Sequence, residues 1–501
     1  MPKNIVLLSD GTGNSNVKDR GTNVFKLYEA IDYNGLSSNP QEQEAFYDDG
    51  VGTQNFKPLK ILGNFFGWGL ARNVKNLYKR LAQVYEPGDK IYLFGFSRGA
   101  FTVRSLAGLI ASKGILDMAC YPSDEELELA VLQLYENYRS QHAAVLEKMF
   151  YQPLMQFFFK PYSAAHAVHG GGGAEIEFIG VWDTVDAVGL PFDEATRFWN
   201  TFVFRFKFSD YVLNPLVKKA CQALSIDDER QTFHPLVWNV QADDDRVEQV
   251  WFPGVHANVG GGYPQQGLSL VAMDWMMEKA SAAGLQFVPR DVEFVRDKKY
   301  ACDKLYDSRS GLAVYFRYLP RNIASISASK GIAKPHIHES VFHRISQGIF
   351  GYAPGSLPSQ FEVVDKYGVH PNSAAIQALV SPAGAGGANH SPLLDDTAAL
   401  IRLRRGIYYT FLAYSVFTLY WLLREDVRGK GFFGGLFAAL KALVDPDGLM
   451  DKLAMLFWGN PWLGIGGLLI FGASVYVRNK MVKLFARFWS PLRAPLKSLA
   501  E

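Results

Sequence analysis

Residues 90 to 110, KIYLFGFSRGAFTVRSLAGLI, constrain the fold more than any other part of the chain. The apolar run Ile91 to Phe96 reads as a strand buried on both faces. It breaks at Gly95-Phe96-Ser97-Arg98-Gly99 and passes without a linker into sequence of helical period. A strand that turns at once into a helix begins a crossover connection, and crossovers make parallel sheets. The pattern recurs. KNIVLLSDG, QEAFYDD, EIEFIGVWD and RVEQVWF read as strands, and GTNVFKLYEAI, GWGLARNVKNLYKRLAQVY and SLVAMDWMMEKASAAGL as helices. The expectation is an α/β fold over residues 1–380: an α/β-hydrolase-like, mostly parallel sheet with helices on both faces. A helical insertion is expected at about 117–170, over one edge of the sheet.

The C-terminal part differs in character. Small residues and prolines mark a linker at 381–400. Residues 406–423 and 453–477 then carry no charge. Helices of these lengths measure roughly 27 and 38 Å at about 1.5 Å per residue, against a hydrocarbon core of about 30 Å. Residues 401–501 are therefore expected to form a two-helix transmembrane module, against the alternative of buried core helices. Arg402, Arg404 and Arg405 precede the first stretch, and Arg478, Lys480, Lys483 and Arg487 follow the second. That places both ends, and the N-terminal domain, on the cytoplasmic side of the membrane.

The N-terminus MPKNIVLLSDG has too short an apolar run for a signal peptide. Cys120, Cys221 and Cys302 are widely spaced and odd in number, which fits a reducing compartment. A net charge of +2 lacks the basic footprint of a nucleic-acid binder.

A serine on a strand-to-helix elbow is lifted above the sheet with its hydroxyl exposed, which makes Ser97 the candidate nucleophile. The bland reading is a serine in a glycine-flanked turn. A hydroxyl needs a base, and the base an orienting acid. In this architecture both follow later in the chain, acid first, each just past a strand end. Asp183 in GVWDTVDAVG and His256 in FPGVHANVGGGY meet that order, with Asp186 the alternative acid. The backbone N–H of Arg98 and those of Gly11 or Thr12 are the candidate oxyanion donors. Asp10 is expected to cap its turn, with a metal ligand as the alternative. DDER (227–230) and DDDR (243–246) read as solvated loops. Nothing requires a cofactor, and no metal site is expected.

IVLLSDGTGNS, YDDGVGT, FGFSRGAFTVRSLAGLI, IGVWDTVDAVG and FPGVHANVGGGY, in that order, resemble the DUF2235 family of α/β-hydrolases, which includes phospholipase effectors of type VI secretion. The resemblance spans roughly residues 4 to 280. It implies ester hydrolysis with Ser97 as nucleophile, Asp183 as acid and His256 as base, and phospholipid acyl esters as the best-known substrates. Where the family often has His-Ser-Asp, this chain has His256-Ala257-Asn258. With the resemblance, the membrane is expected to be a bacterial inner membrane, with membrane lipids as substrate and anchor; the alternative is a delivered effector acting from the periplasm, with an immunity protein as partner. Self-association stays open. The competing readings are hydrolysis of a non-phospholipid ester and a non-catalytic hydrolase-fold component of a membrane assembly.

Overall fold

The computed structural model describes residues 2–11, 21–37, 41–49, 68–140, 168–169, 173–186, 212–240, 244–381, 390–428, 434 and 446–500. Eight strands form one sheet: β1 (Asn4–Ser9), β2 (Gln43–Asp48), β3 (Lys90–Phe96), β4 (Ile176–Trp182), β5 (Val217–Ser225), β6 (Val247–Phe252), β7 (His336–His338) and β8 (Glu362–Val364). Their order is β2-β1-β3-β4-β5-β6-β7-β8, and every neighbouring pair is parallel.

Alternation along the strands sorts the core into two layers. Ile5, Leu7, Ile91, Leu93, Ile179 and Val181 face helices α2 (Trp68–Val84), α3 (Arg98–Lys113) and α4 (Asp124–Ser140). Val6, Leu8, Tyr92, Phe94, Phe178 and Trp182 face α1 (Asn23–Ala30) and α6 (Gly267–Ala282), the latter preceded by the short α5 (His256–Gly260). Both faces are covered, so β1, β3 and β4 are apolar over most of their length. The order reverses between β1 and β3, since β2 was added on one side of β1 and β3 on the other. Side chains beyond the carboxyl ends of strands converge at such a point.

Two elements depart from the sequence expectation. β5, VKKACQALS, has no clean apolar run, because Lys218 and Lys219 start it and Gln222 lies inside it. Gln222 is fully buried and accepts a 2.6 Å hydrogen bond from Thr184 Oγ1, which makes a polar residue tolerable there. The described part of the 117–170 insertion is α4 with a short turn at Met118–Cys120 before it. It lies on a face of the sheet against α2, where Lys79 holds Asp124 at 2.7 Å and Glu128 at 3.0 Å. Residues 141–167 and 170 of that insertion lie outside the described residues.

Two C-terminal helices are long and apolar enough to cross a membrane, by length and composition: α8 (Ala398–Val427) and α9 (Pro461–Trp489). They pack on each other, with Tyr414 Oη donating to the Leu463 carbonyl at 2.7 Å. The boundaries differ from the charge-free stretches. The segment expected as one helix over 453–477 is two, Pro446–Gly459 and α9, broken at Asn460 (φ −137°, ψ 70°). Pro461 has no N–H to continue the helix and disfavours helical geometry in the residue before it. Within the expected linker, residues 382–389 lie outside the described residues, while Ser391, Leu393, Leu394 and Thr397 are buried. The expected interfacial segment 432–444 is described only at residue 434.

The chain's last helices belong to the core. Trp489 of α9 and Leu496 of α10 (Arg493–Ala500) join Trp251, Ile337, Val363 and residues of α7 (Glu339–Gln347) in a third apolar cluster. Trp489 is 1% exposed and its Nε1 donates to the Pro354 carbonyl at 2.9 Å. Trp489→Ala should lower unfolding free energy by about 3–5 kcal/mol, the range for emptying a buried tryptophan site. Urea denaturation of the full chain measures it.

Candidate active site

The candidate residues all leave the carboxyl edge of the sheet. Ser97 follows β3 directly and adopts φ 58° and ψ −122°, a conformation that non-glycine residues avoid. Holding it costs about 1–3 kcal/mol, and neighbouring structure supplies the restraint. The Ser97 N–H donates to the Trp182 carbonyl at the end of β4 (3.0 Å). Helix α3 then starts so close to β1 that a Cβ on Gly99 would fall on the Ser9 and Asp10 carbonyl oxygens, and one on Gly95 would meet the Gly99 carbonyl. The two glycines of Gly-x-Ser-x-Gly are there for that approach.

Three side chains from separate strand ends form one hydrogen-bonded chain. Ser97 Oγ lies 2.7 Å from His256 Nε2, and His256 Nδ1 lies 2.6 Å from Asp183 Oδ2. Ser97 and His256 are nearly buried and Asp183 completely so. His256 opens α5, which Asn258 ties down: its Oδ1 accepts from the Val255 and Tyr306 N–H groups, and its Nδ2 donates to the Lys304 carbonyl. Asn258 thus fixes the histidine turn without adding a charge beside the base. Asp186, the alternative acid, lies three residues further on, and it is Asp183 that meets His256 Nδ1.

Two residues that the sequence reading missed complete the surroundings. Arg321 is fully buried and grips Asp183 with both ends of its guanidinium, Nη1 to Oδ1 at 2.6 Å and Nη2 to Oδ2 at 2.8 Å. The same nitrogens donate to the Ser225 and Phe233 carbonyls. Ser225 adds its N–H and hydroxyl to the carboxylate. Asp228 overturns the reading of DDER as a solvated loop. It is 0% exposed, paired with Arg230 at 2.7 Å, and accepts the backbone N–H of His256 at 3.2 Å. Neither had a signal in the sequence, because Arg321 sits in YLPRN, a segment without periodicity. DDER resembles any surface turn. In DDDR, Asp244 and Arg246 do pair near the surface, and residues 241–243 lie outside the described residues.

The charges follow from these contacts. Burial disfavours the Asp183 anion, but Arg321 beside it, with His256, holds the carboxyl well below the ordinary carboxylate range. Burial lowers the His256 pKa below its ordinary value against the opposing pull of Asp183, so the imidazole is neutral at pH 7. That leaves one ring nitrogen to donate to Asp183 and the other to accept from Ser97.

At the end of β1, Asp10 accepts from Thr22 Oγ1, Tyr47 Oη and the Gly11 N–H, each at 2.6 Å. These bonds make it the organiser of its turn, as expected of a cap. Gly11, expected as an oxyanion donor, has its N–H engaged by Asp10. Thr12 lies outside the described residues. Arg98 begins α3, and its N–H is in the first helical turn, where no intrahelical carbonyl can accept it. Among the described residues no group of three or more His, Cys, Asp or Glu is arranged to hold a metal.

A parallel α/β sheet with a serine on a strained strand-to-helix turn, hydrogen-bonded through histidine to a buried aspartate, defines the class of protein. Within that class the chain belongs to the DUF2235 family: residues 3–279 match the family described as "T6SS, Phospholipase effector Tle1-like, catalytic domain". It is also similar to an uncharacterised protein of Saccharomyces cerevisiae, 34% identical over 203 residues that cover 38% of this chain and 27% of that protein. The chain thus spans about a quarter of that relative's length. A crystal structure of an uncharacterised protein from Pseudomonas aeruginosa matches at 17% identity and a TM-score of 0.30, over 69% of this chain and 53% of that one.

Removing one partner from a buried ion pair is costlier than removing both. Arg321→Met should cost about 3–5 kcal/mol of stability, and Arg321→Met with Asp183→Asn less than the sum of the two single changes. A folded-state carboxyl pKa below its unfolded value stabilises above the unfolded value, about 3.9, and that stabilisation is lost as pH falls through the folded value. The unfolded chains titrate alike, so the gap between wild type and Arg321→Met should be constant at high pH and shrink as pH falls through the variant's own folded-state Asp183 value, which loss of the cation raises. Denaturant titrations at several pH values measure both effects.

Proposed function

We propose that the chain is a membrane-anchored serine hydrolase of lipid carboxylic esters, with phospholipid acyl esters as the substrate class. The observation that carries this reading is the 2.7 Å approach of His256 Nε2 to Ser97 Oγ on a strained elbow. Membership in a family described as a phospholipase effector catalytic domain supports the substrate class, and the apolar helices α8 and α9 support anchoring in a bilayer.

The reaction follows from the geometry. His256 Nε2 takes the Ser97 proton as Oγ attacks the ester carbonyl, and Asp183 holds the ring by its Nδ1–H so that Nε2 is the free acceptor. The oxyanion develops near the start of α3, where the Arg98 N–H and the helix dipole stabilise it. The imidazolium returns its proton to the leaving alcohol and an acyl-enzyme remains on Ser97. A water deprotonated by His256 then attacks the acyl carbonyl and frees the fatty acid. Arg321 balances the Asp183 charge, so Asp183 acts more by orienting the imidazole than by attracting its proton.

The charge flanks of α8 and α9 favour a catalytic domain on the cytoplasmic face of the membrane, as read above. Activity from the other face would mark a delivered effector.

Ser97→Ala should reduce lipid hydrolysis by several powers of ten and abolish labelling by a fluorophosphonate probe, while leaving the circular dichroism unchanged. Labelling that survives the change would remove Ser97 from its role, and absence of labelling in wild type would favour a non-catalytic scaffold. Asp183→Asn should cost far more than Asp186→Asn. His256 works as a base only when neutral, so kcat/KM should rise with pH through an apparent pKa below about 6.5, the unperturbed value, and then level off.

A further inference from the structure

Among the described residues, a short 3₁₀ turn, Gly311–Tyr315, projects beside α8 with Leu312 at its tip 85% exposed. Single exposed apolar residues are ordinary. What distinguishes this one is the surface against which the turn lies. Tyr408 Oη donates to the Tyr315 carbonyl at 2.8 Å, the Tyr315 ring packs 5.1 Å from that of Phe411, and Tyr315 Oη lies 3.4 Å from Ser415 Oγ. These contacts follow α8 over seven residues, roughly 10 Å of helix, and all fall within the charge-free stretch 406–423. Next to them is a polar layer where the charge-free stretches begin and end. Arg404 pairs with Glu229 at 3.0 Å, and Arg478 with Asp307 at 3.0 Å.

Arginines flank the apolar tip. Arg309 Nη2 donates to the Val314 carbonyl at 3.1 Å and braces the turn, and Arg317 lies 5.5 Å from the Tyr409 ring. Arg309 is turned inward over the buried Tyr318 and Tyr408 rings, while the apolar tip beside the partly exposed Arg317 suits a bilayer interface, with the tip among acyl chains and that cation at phosphate level. The turn is also joined to the site. Phe316 packs edge-on to Phe233 (5.3 Å), and Phe233 edge-on to His256 (5.1 Å).

We propose that Gly311–Tyr315 is a membrane-inserting finger that dips into bilayer lipid beside α8 and sets the His256 side of the site against the acyl-chain layer. It rests on the reading of α8 and α9 as membrane spans and of Ser97 as a lipid-ester nucleophile. The occupant is lipid because the turn shares its wall with a helix whose own exposed residues, Val416 and Tyr420 among them, need an apolar medium.

The test uses the full chain in phosphatidylcholine–phosphatidylglycerol vesicles. Leu312→Cys in a Cys120→Ser background, the other two cysteines being buried, is labelled with an environment-sensitive fluorophore. Lipids that carry a nitroxide on the upper acyl chain should quench this label strongly. They should not quench one at Leu36→Cys, which lies near the amino end of β2, at the edge of the sheet opposite Ser97. Equal quenching at the two positions, or none at Leu312, overturns the proposal, and a protein occupant of the turn would give the second result.

In parallel, Leu312→Asp should lower the ratio of vesicle-lipid to soluble short-chain ester hydrolysis about tenfold, the factor that one leucine's transfer from water is worth. An unchanged ratio also overturns it. If wild type hydrolyses neither substrate, the hydrolase reading fails on its own, and the quenching result still decides for or against the finger.

Discussion

A carboxylate with no access to water has to be surrounded by donors, and the edge of this sheet is organised around one such group. Asp183 takes two bonds from Arg321, two from Ser225 and one from His256. Each comes from a different segment, so the strand ends at 183 and 225, the histidine turn and the 318–322 segment are fixed relative to one another by a single anion. Taking an ion of this kind out of water costs several kcal/mol, and only good geometry with full hydrogen bonding offsets it. Rigidity is the return, since the imidazole ring has one orientation that satisfies Asp183 on one side and Ser97 on the other. A second buried pair, Asp228 with Arg230, holds the backbone of His256 from below. Together the two pairs add no net charge, which leaves burial free to keep His256 neutral.

The elbow solves a different problem. Its strain is local, and what offsets it is close packing of backbone on backbone, with α3 against the end of β1 and the Ser97 N–H on β4. The serine is therefore held by the sheet and the histidine by electrostatics. Their meeting distance depends on both supports.

The parts legible in the sequence were those with a local cause. The Ser97 elbow is written in five consecutive residues, because sterics allow only glycine where helix meets strand. Asp183 and His256 could be read from chain order and strand ends, and the structure brings both to Ser97. Arg321 could not, since its role arises from a contact 138 residues away and leaves no pattern around it. Asp228 was misread for a related reason: charge next to charge looks solvated until the partners that bury it are known. β5 was hidden by two lysines and a satisfied glutamine, while β7 and β8, with three residues each, are too short to show a period. Absence of charge across 453–477 predicts one helix, and the break comes from Pro461, whose effect is on backbone geometry rather than polarity.

The distance along the chain between Asp183 and Arg321 has a consequence for how the protein is made. Synthesis runs from the amino end at about 5–20 residues per second. Ser97, Asp183 and His256 thus leave the ribosome well before the arginine that neutralises the acid, by roughly 10 to 45 seconds for the longest interval. Until Arg321 is made, burying the Asp183 carboxylate would leave it without its counter-ion, at a cost of several kcal/mol. Residues 3–279, the segment that carries the family match, end before Arg321. The counter-ion of the buried acid is thus supplied by sequence beyond that segment.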